Sequence, residues 1–244
     1  MVGRFKPDSA DSTSKETIAC SNPRSNIAEA FRTIRTNLLF SSPDIEKKRM
    51  LITSALPQEG KTVLAANLAI TFAQMGKKVL LVDSDLRRPR VHNLFNLKRS
   101  FGLSDLLVGK ESSIKNTQIS GLKIITSGTL PPNPAELLAS QKMRDFIEKA
   151  KDSFNTIIFD SPPLLSVTDA AELAPLSDGV VLIVKAGSTP IPVIQRGIQQ
   201  VSEVGARVLG CVLNNVDFEK EHYYYSHYQY YCQYYYEGKK EKGS

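Results

Sequence analysis

The 244-residue chain has no tryptophan, and its three cysteines, Cys20, Cys211 and Cys232, are odd in number and widely scattered. That argues against a disulfide framework and fits a reducing cytosol. No apolar run approaches the roughly 18 residues of a membrane span; the longest, residues 180–184, reads as a buried strand. Residues 1–7 lack the apolar segment that a signal peptide needs. Membrane association is therefore expected only through a partner. Tyrosine is absent from the first 222 residues, and all 9 tyrosines fall within positions 222–236. A strong charge excess is also missing. The net +6 fits anionic partners such as ATP, acidic lipid headgroups or nucleic acid, without selecting among them. What remains, 41% apolar and 23% charged, is the composition of a globular protein with room for one real core.

The chain is organised around Ser54-Ala55-Leu56-Pro57-Gln58-Glu59-Gly60-Lys61-Thr62. An apolar run at 50–53 reads as a short strand before it, and residues 63–70 read as a helix after it. Strand, Gly-Lys-Thr loop and helix form the context of a phosphate-binding loop. Its amides and the helix N-terminus present partial positive charge to phosphate. Lys61 reaches the outer phosphates and the Thr62 hydroxyl ligates Mg²⁺. The candidate nucleotide contacts are Pro57, Gln58, Glu59, Gly60, Lys61, Thr62 and Val63. The plainer alternative, a polar turn with Gly60 there for geometry, does not explain this context. One departure is Ala55, which stands where the general pattern has its first glycine.

Residues 1–24 read as a flexible polar arm. A helix is predicted over Asn26–Phe40, with Ile27, Ala30, Phe31, Ile34 and Leu38 as its apolar face. Asn26 serves as N-cap with Glu29 in a capping-box position. Glu29, Arg32 and Arg35 fall opposite the apolar face, where the physics favours a solvated surface. The run at 79–82 reads as a buried parallel strand ending in Asp83 and Asp85, two residues apart and so able to face one site. Residues 92–109 suggest small helices, 122–126 a strand, and 135–150 a helix after the proline-rich loop 128–134. The strand at 156–160 ends in Asp160, placed to hold the loop's Mg²⁺. A strand at 179–184, a helix at 192–204 and a strand at 207–213 follow. Strands alternating with helices imply an α/β fold with a mostly parallel sheet flanked by helices. Beyond residue 217 the tyrosine-rich segment reads as a mobile tail. Three uses fit it: self-association, stacking on single-stranded nucleic acid, or tyrosines that are themselves substrates. Its His222, His227 and Cys232 lack metal-ligand spacing.

Taken together, these motifs resemble the bacterial tyrosine kinases (BY-kinases), autokinases of capsule and exopolysaccharide synthesis. The likeness covers residues 25–236. Residues 54–62 are similar to the family's Walker A loop, which often lacks the first glycine. The stretch around Asp83 and Asp85 is similar to its second acidic motif, and residues 157–160 to Walker B. The tail resembles its tyrosine cluster. Glu29-Ala30-Phe31-Arg32-Thr33-Ile34-Arg35 matches the family's E-x-x-R-x-x-R oligomer motif, which reverses the preference for a solvated face. The resemblance implies a P-loop NTPase-type kinase domain over 25–216 and a tail over 217–244, using ATP and Mg²⁺. The γ-phosphate would pass in trans to Tyr223, Tyr224, Tyr225, Tyr228, Tyr230, Tyr231, Tyr234, Tyr235 and Tyr236 within a ring-like homo-oligomer. Lys61 would stabilise the transferred charge; Thr62, Asp83 and Asp160 would hold the metal. Asp83, or failing that Asp85, would orient or deprotonate the phenol, and Asn214 would contact the adenine. A membrane-embedded activator of the chain-length-regulator type and an opposing tyrosine phosphatase are the implied partners. The protein is expected in the cytoplasm, recruited to the inner face of the membrane, with no nucleic acid partner. The alternative is a deviant-Walker ATPase switch that positions cargo. That group carries a signature lysine where this chain has Leu56.

Overall fold

The structure, a computed structural model, describes residues 16–41 and 48–216. Seven strands form one sheet: β1 (Lys48–Ser54), β2 (Val79–Asp83), β3 (Lys115–Asn116), β4 (Leu122–Ile125), β5 (Thr156–Asp160), β6 (Gly179–Lys185) and β7 (Val208–Asn214). Their order is β3-β4-β2-β5-β1-β6-β7. Every pairing is parallel except the short edge pair β3–β4. The four apolar residues before Asp83, and Thr156, Ile157, Ile158 and Phe159 before Asp160, are buried, as strands covered on both faces must be.

Alternation divides the side chains between two cores. Met50, Ile52, Val79, Leu81 and Ile158 pack on one face beneath α3 (Lys61–Gln74), with Leu38 of α2 (Asn26–Phe40) and Ala19 of α1 (Ile18–Ser21) behind them. Leu51, Leu80, Val82, Ile157 and Phe159 face the opposite core. That core is covered by α5 (Leu103–Leu107), α7 (Gln141–Ser153), α8 (Asp169–Leu173) and α9 (Ile191–Glu203). Two short helices, α4 (Val91–Leu94) and α6 (Pro134–Leu138), and a 3₁₀ turn at Ala174–Leu176 complete the described residues. Asp83 shares parity with Val79 and Leu81, and Asp160 with Ile158. Both carboxylates therefore belong to the face that carries α3.

Several local expectations need correction. The predicted flexible arm does not extend through residues 16–24. Ala19 is fully buried, its N–H donates to Asn67 Oδ1 at 2.9 Å, and Asn67 Nδ2 donates to the Glu16 carbonyl at 2.8 Å. The polar composition hid this because the anchoring groups lie about 50 residues away on α3. The N-cap of α2 is Ser25, whose hydroxyl accepts from Ala28 N at 3.1 Å, rather than Asn26, which lies inside the helix. The apolar face holds at Phe31, Ile34 and Leu38, which pack on the core, but shifts in the first turn: Ala28 is buried, whereas Ile27 is 53% exposed and Ala30 is exposed. The helix predicted over 135–150 is two, broken at Ser140, whose hydroxyl caps α7 by accepting from Met143 N. The tyrosine cluster and all nine of its candidate acceptors lie outside the described residues.

Candidate active site

The C-terminal edge of the sheet gathers the reactive groups. β1 ends at Ser54, and the loop climbs to α3 from a fixed base. Ser54 Oγ donates to the Leu56 carbonyl at 2.6 Å, and Leu164 N donates to the Ser54 carbonyl at 2.8 Å. Ala55 is fully buried, and a Cβ on Gly197 would stand 3.5 Å from its own. Its backbone is not left-handed, so this position has no need of glycine and the methyl group fills space against α9. Gln58 (φ 62°) and Gly60 (φ 99°) are left-handed. Alternation of this kind turns loop amides into an anion-binding nest. Gly60 caps α3 with no side chain, leaving the first amides of the helix for a ligand.

Two residues expected at the nucleotide instead shape the loop from behind. Glu59 is 2% exposed; Leu56 N (2.8 Å) and Lys185 N (3.2 Å) donate to its carboxylate, as does Thr189 Oγ1. Asn214 Nδ2 donates to the Glu59 carbonyl at 2.9 Å, and a Cβ on Gly60 would collide with that nitrogen. Neither residue lines the cleft, whose volume is about 540 Å³. Pro57, Gln58, Gly60, Lys61, Thr62 and Val63 do line it.

Asp83 and Asp160 are register partners at the ends of β2 and β5. Both are completely buried, and none of their four carboxylate oxygens accepts a well-formed hydrogen bond, although the amides of Val91 and Asp85 approach Asp83 and the Thr62 hydroxyl approaches Asp160. Burial pushes Asp83 well above the usual carboxylate range, and repulsion from Asp160 and Asp85 adds to the rise. Burial pushes Asp160 up to about 7, against the pull of the Thr62 hydroxyl and the Lys61 ammonium. Buried carboxylates without well-formed hydrogen bonds are costly unless a cation joins them. No group of three or more Asp, Glu, His or Cys makes a ready metal cage among the described residues. That donor set fits Mg²⁺, which takes one or two carboxylates, a hydroxyl and substrate phosphates rather than an all-protein cage.

Asp85 lines the cleft, and its Oδ1 accepts from Arg88 N (2.9 Å) and Arg87 N (3.3 Å). That turn sends Arg87, Arg88 and Arg90 to the same cleft. Arg87 is pinned by Asp169: its Nε donates to Oδ2 at 2.9 Å and its Nη2 to Oδ1 at 2.9 Å. Asp169 is fully buried, and its hydrogen bonds raise the Arg87 pKa further. Sequence reasoning missed these arginines. Their only signal is their position directly after Asp85, and nothing in the chain points to Asp169, 82 residues away.

The three residues of the oligomer motif do not share one free face. Arg32 Nη1 pairs with Glu29 at 2.6 Å on the surface of α2. Arg35 turns inward, its Nη1 donating to the Thr71 carbonyl of α3 at 2.8 Å. Burial lowers the Arg35 pKa, Arg32 adding to the effect and Glu29 opposing it.

Comparison with known proteins agrees with this geometry. A family model described as an AAA domain matches residues 58–209. The chain is 42% identical over 220 residues to the tyrosine-protein kinase YwqD of Bacillus subtilis (strain 168), covering 89% of this chain and 91% of that protein. It resembles the crystal structure of the chimerical protein CapA2B2 with a TM-score of 0.80 and 38% identity, over 83% of this chain and 90% of that one. It resembles the kinase domain of the Escherichia coli tyrosine kinase ETK with a TM-score of 0.79 and 36% identity, over 82% and 80%. A phosphate loop, two buried carboxylates on neighbouring strand ends and this degree of likeness over nearly the whole chain place it in one family: the chain belongs to the bacterial tyrosine-protein kinases.

Proposed function

We propose that the chain is an ATP- and Mg²⁺-dependent autokinase that phosphorylates the tail tyrosines of neighbouring copies. The observation that carries this reading is the placement of Lys61 and Thr62 beside the buried carboxylates Asp83 and Asp160, whose hydrogen bonds are poorly formed. Phosphoryl transfer asks for positioning and charge neutralisation more than for covalent chemistry. Loop amides and Lys61 hold the phosphates. Asp83, Asp160 and Thr62 hold Mg²⁺, which neutralises charge on the transferred group when bound. The phenol oxygen forms the new bond to the γ-phosphorus as the bond to ADP breaks, and the phenol proton passes to a carboxylate. Asp85 lines the cleft while Asp83 is sealed beneath it, so exposure favours Asp85 as that carboxylate over the sequence-based preference for Asp83. Arg87, fixed by Asp169, adds positive charge at the same cleft.

The wider reading is of a kinase domain over 25–216 and a substrate tail over 217–244, the copies held in a ring through Glu29, Arg32 and Arg35. The protein would act in the cytoplasm at the inner membrane face, with a membrane-embedded activator and an opposing tyrosine phosphatase, in control of capsular or exopolysaccharide synthesis and export. Incubation with ATP and Mg²⁺ followed by phosphotyrosine mapping tests the core claim. Tail phosphotyrosine is expected in the wild type and its loss in Lys61→Met. ATP hydrolysis with an unmodified tail, activator present, would sink it in favour of a switch ATPase.

A further inference from the structure

A second depression adjoins the catalytic cleft, and nothing in the reading above uses it. It is a groove of about 1030 Å³ between the loop that follows β5 and helix α9. Leu56, Leu164, Leu165 and Val193 form an apolar strip along it, and polar side chains flank the strip, among them the exposed Arg196 and Gln199 and the carboxylate Glu203. It meets the catalytic cleft at Ser166 and Val167, which line both. A chain lying in the groove can pass over these two residues directly into the cleft that holds Lys61 and Asp85.

We propose that this groove is the acceptor track of the kinase, binding the tyrosine-rich segment 222–236 of a second copy beside the residue being phosphorylated. The proposal rests on the trans-autokinase reading and adds to it a place for the substrate chain. Chemistry supports the match on three counts. The segment offers aromatic rings with hydroxyls, together with Gln229 and Gln233, and has no aliphatic side chain of its own. An apolar strip with amide and guanidinium groups beside it suits such rings, whose faces are apolar and whose edges need hydrogen-bond partners. Ahead of the tyrosines Asp217, Glu219 and Glu221 outnumber Lys220, and this acidic excess is complementary to Arg88 in the cleft and to Arg196 in the groove, where Glu203 stands farther along; Arg90 is already paired with Glu16. Length also suffices. At most about 3.3–3.6 Å per residue, the 20 residues from Val216 to Tyr236 reach roughly 65–70 Å, enough to leave one copy and cross the face of the next.

Leu56 gains a role in this account. At the position where the switch ATPases carry their signature lysine, this chain places part of the apolar strip. Charge there would oppose ring burial.

The test uses full-length protein as both enzyme and acceptor. The acceptor is a tagged Lys61→Met copy, and initial rates of phosphotyrosine formation on it are followed as its concentration and that of ATP are varied separately. Val193→Glu and Arg196→Glu in the enzyme are expected to raise the acceptor KM about tenfold, equivalent to about 1.4 kcal/mol, while the ATP KM and the thermal midpoint stay at wild-type values. An unchanged acceptor KM in both variants would overturn the groove assignment and leave the kinase reading intact. If particle mass also fell in those variants, the groove would be a contact between folded subunits instead. Failure of the wild-type enzyme to modify the Lys61→Met copy would overturn the trans reading and the groove with it. A measurement independent of turnover is photocross-linking from a benzophenone side chain in place of Tyr228. Cross-links to residues 164–168 and 192–200 of another copy are expected, and cross-links confined to other segments would overturn the proposal.

Discussion

Asp83 and Asp160 sit where charge is expensive, and that cost shows how the site is built. An ordinary aspartate titrates near 3.8, but burial holds Asp160 at about 7 and Asp83 well above the usual range. The folded chain therefore binds these protons more tightly than the unfolded chain does. The associated stability is fully present below about pH 3.8 and is lost as pH rises through about 7, where Asp160 ionises. In a chelating buffer, Asp160→Asn is expected to raise the melting temperature at pH 8 by about 2–8 °C, the shift that ~1–2 kcal/mol produces in a chain of this size. The gain should shrink toward zero near pH 4. Calorimetry across that range checks it, and a variant no more stable than wild type at pH 8 would mean that the carboxylate is already satisfied. A neutral side chain would thus stabilise the fold and remove the site, the trade expected where function sets the residue.

The elements that carry the motifs were legible because their signals are local. An apolar run of three or four residues followed by aspartate announces β2 and β5, and parity then places both carboxylates beneath α3. What stayed hidden depends on partners far along the chain. Asn67, polar within an apolar helix, is the anchor of α1, and no pattern in residues 16–21 reveals that. Helix α2 misled for a related reason. Its face is decided by where α3 lies, so small Ala28 is buried and large Ile27 is not. Arg35 turns inward and is tied to the Thr71 carbonyl of α3, whereas Arg32, partly exposed, pairs with Glu29 and donates to the Pro23 carbonyl just ahead of its own helix. The two arginines should therefore separate. Arg35→Ala is expected to lower the melting temperature by about 3–6 °C through loss of a charge-assisted hydrogen bond at the α2–α3 contact. Arg32→Ala should change it by less than about 2 °C, because its bonds to Glu29 and the Pro23 carbonyl are solvent-accessible and tie together only α2 and the residues just before it. If the motif builds the ring, Arg32→Ala reduces particle mass in light scattering without that loss of stability. An Arg32 variant of full mass would shift the oligomer role to other residues.

At the scale of the whole molecule, the tail and the body carry opposite prospects of charge. The unmodified chain has a net charge of +6. Each phosphate adds roughly −1.5 to −2 at pH 7, so about four phosphotyrosines reverse the sign. All of that new charge is confined to a short segment that, in the trans reading, reaches into a neighbour. Its first effect is attraction to the basic groups of the cleft, Lys61, Arg88 and Arg90; as phosphates accumulate, repulsion between modified tails comes to dominate. Assembly should therefore respond to the extent of modification in a graded way. Light scattering on samples sorted by intact mass is expected to show the oligomer persisting at one or two phosphates per chain and falling to smaller species beyond about four. Treatment with a tyrosine phosphatase should restore the original mass. Because the charges are exposed, raising salt to about 1 M shortens the Debye length to roughly 3 Å and should narrow the difference between modified and unmodified protein. Particle mass independent of phosphate count at low salt would remove charge as the release mechanism, whatever the fate of the kinase reading itself.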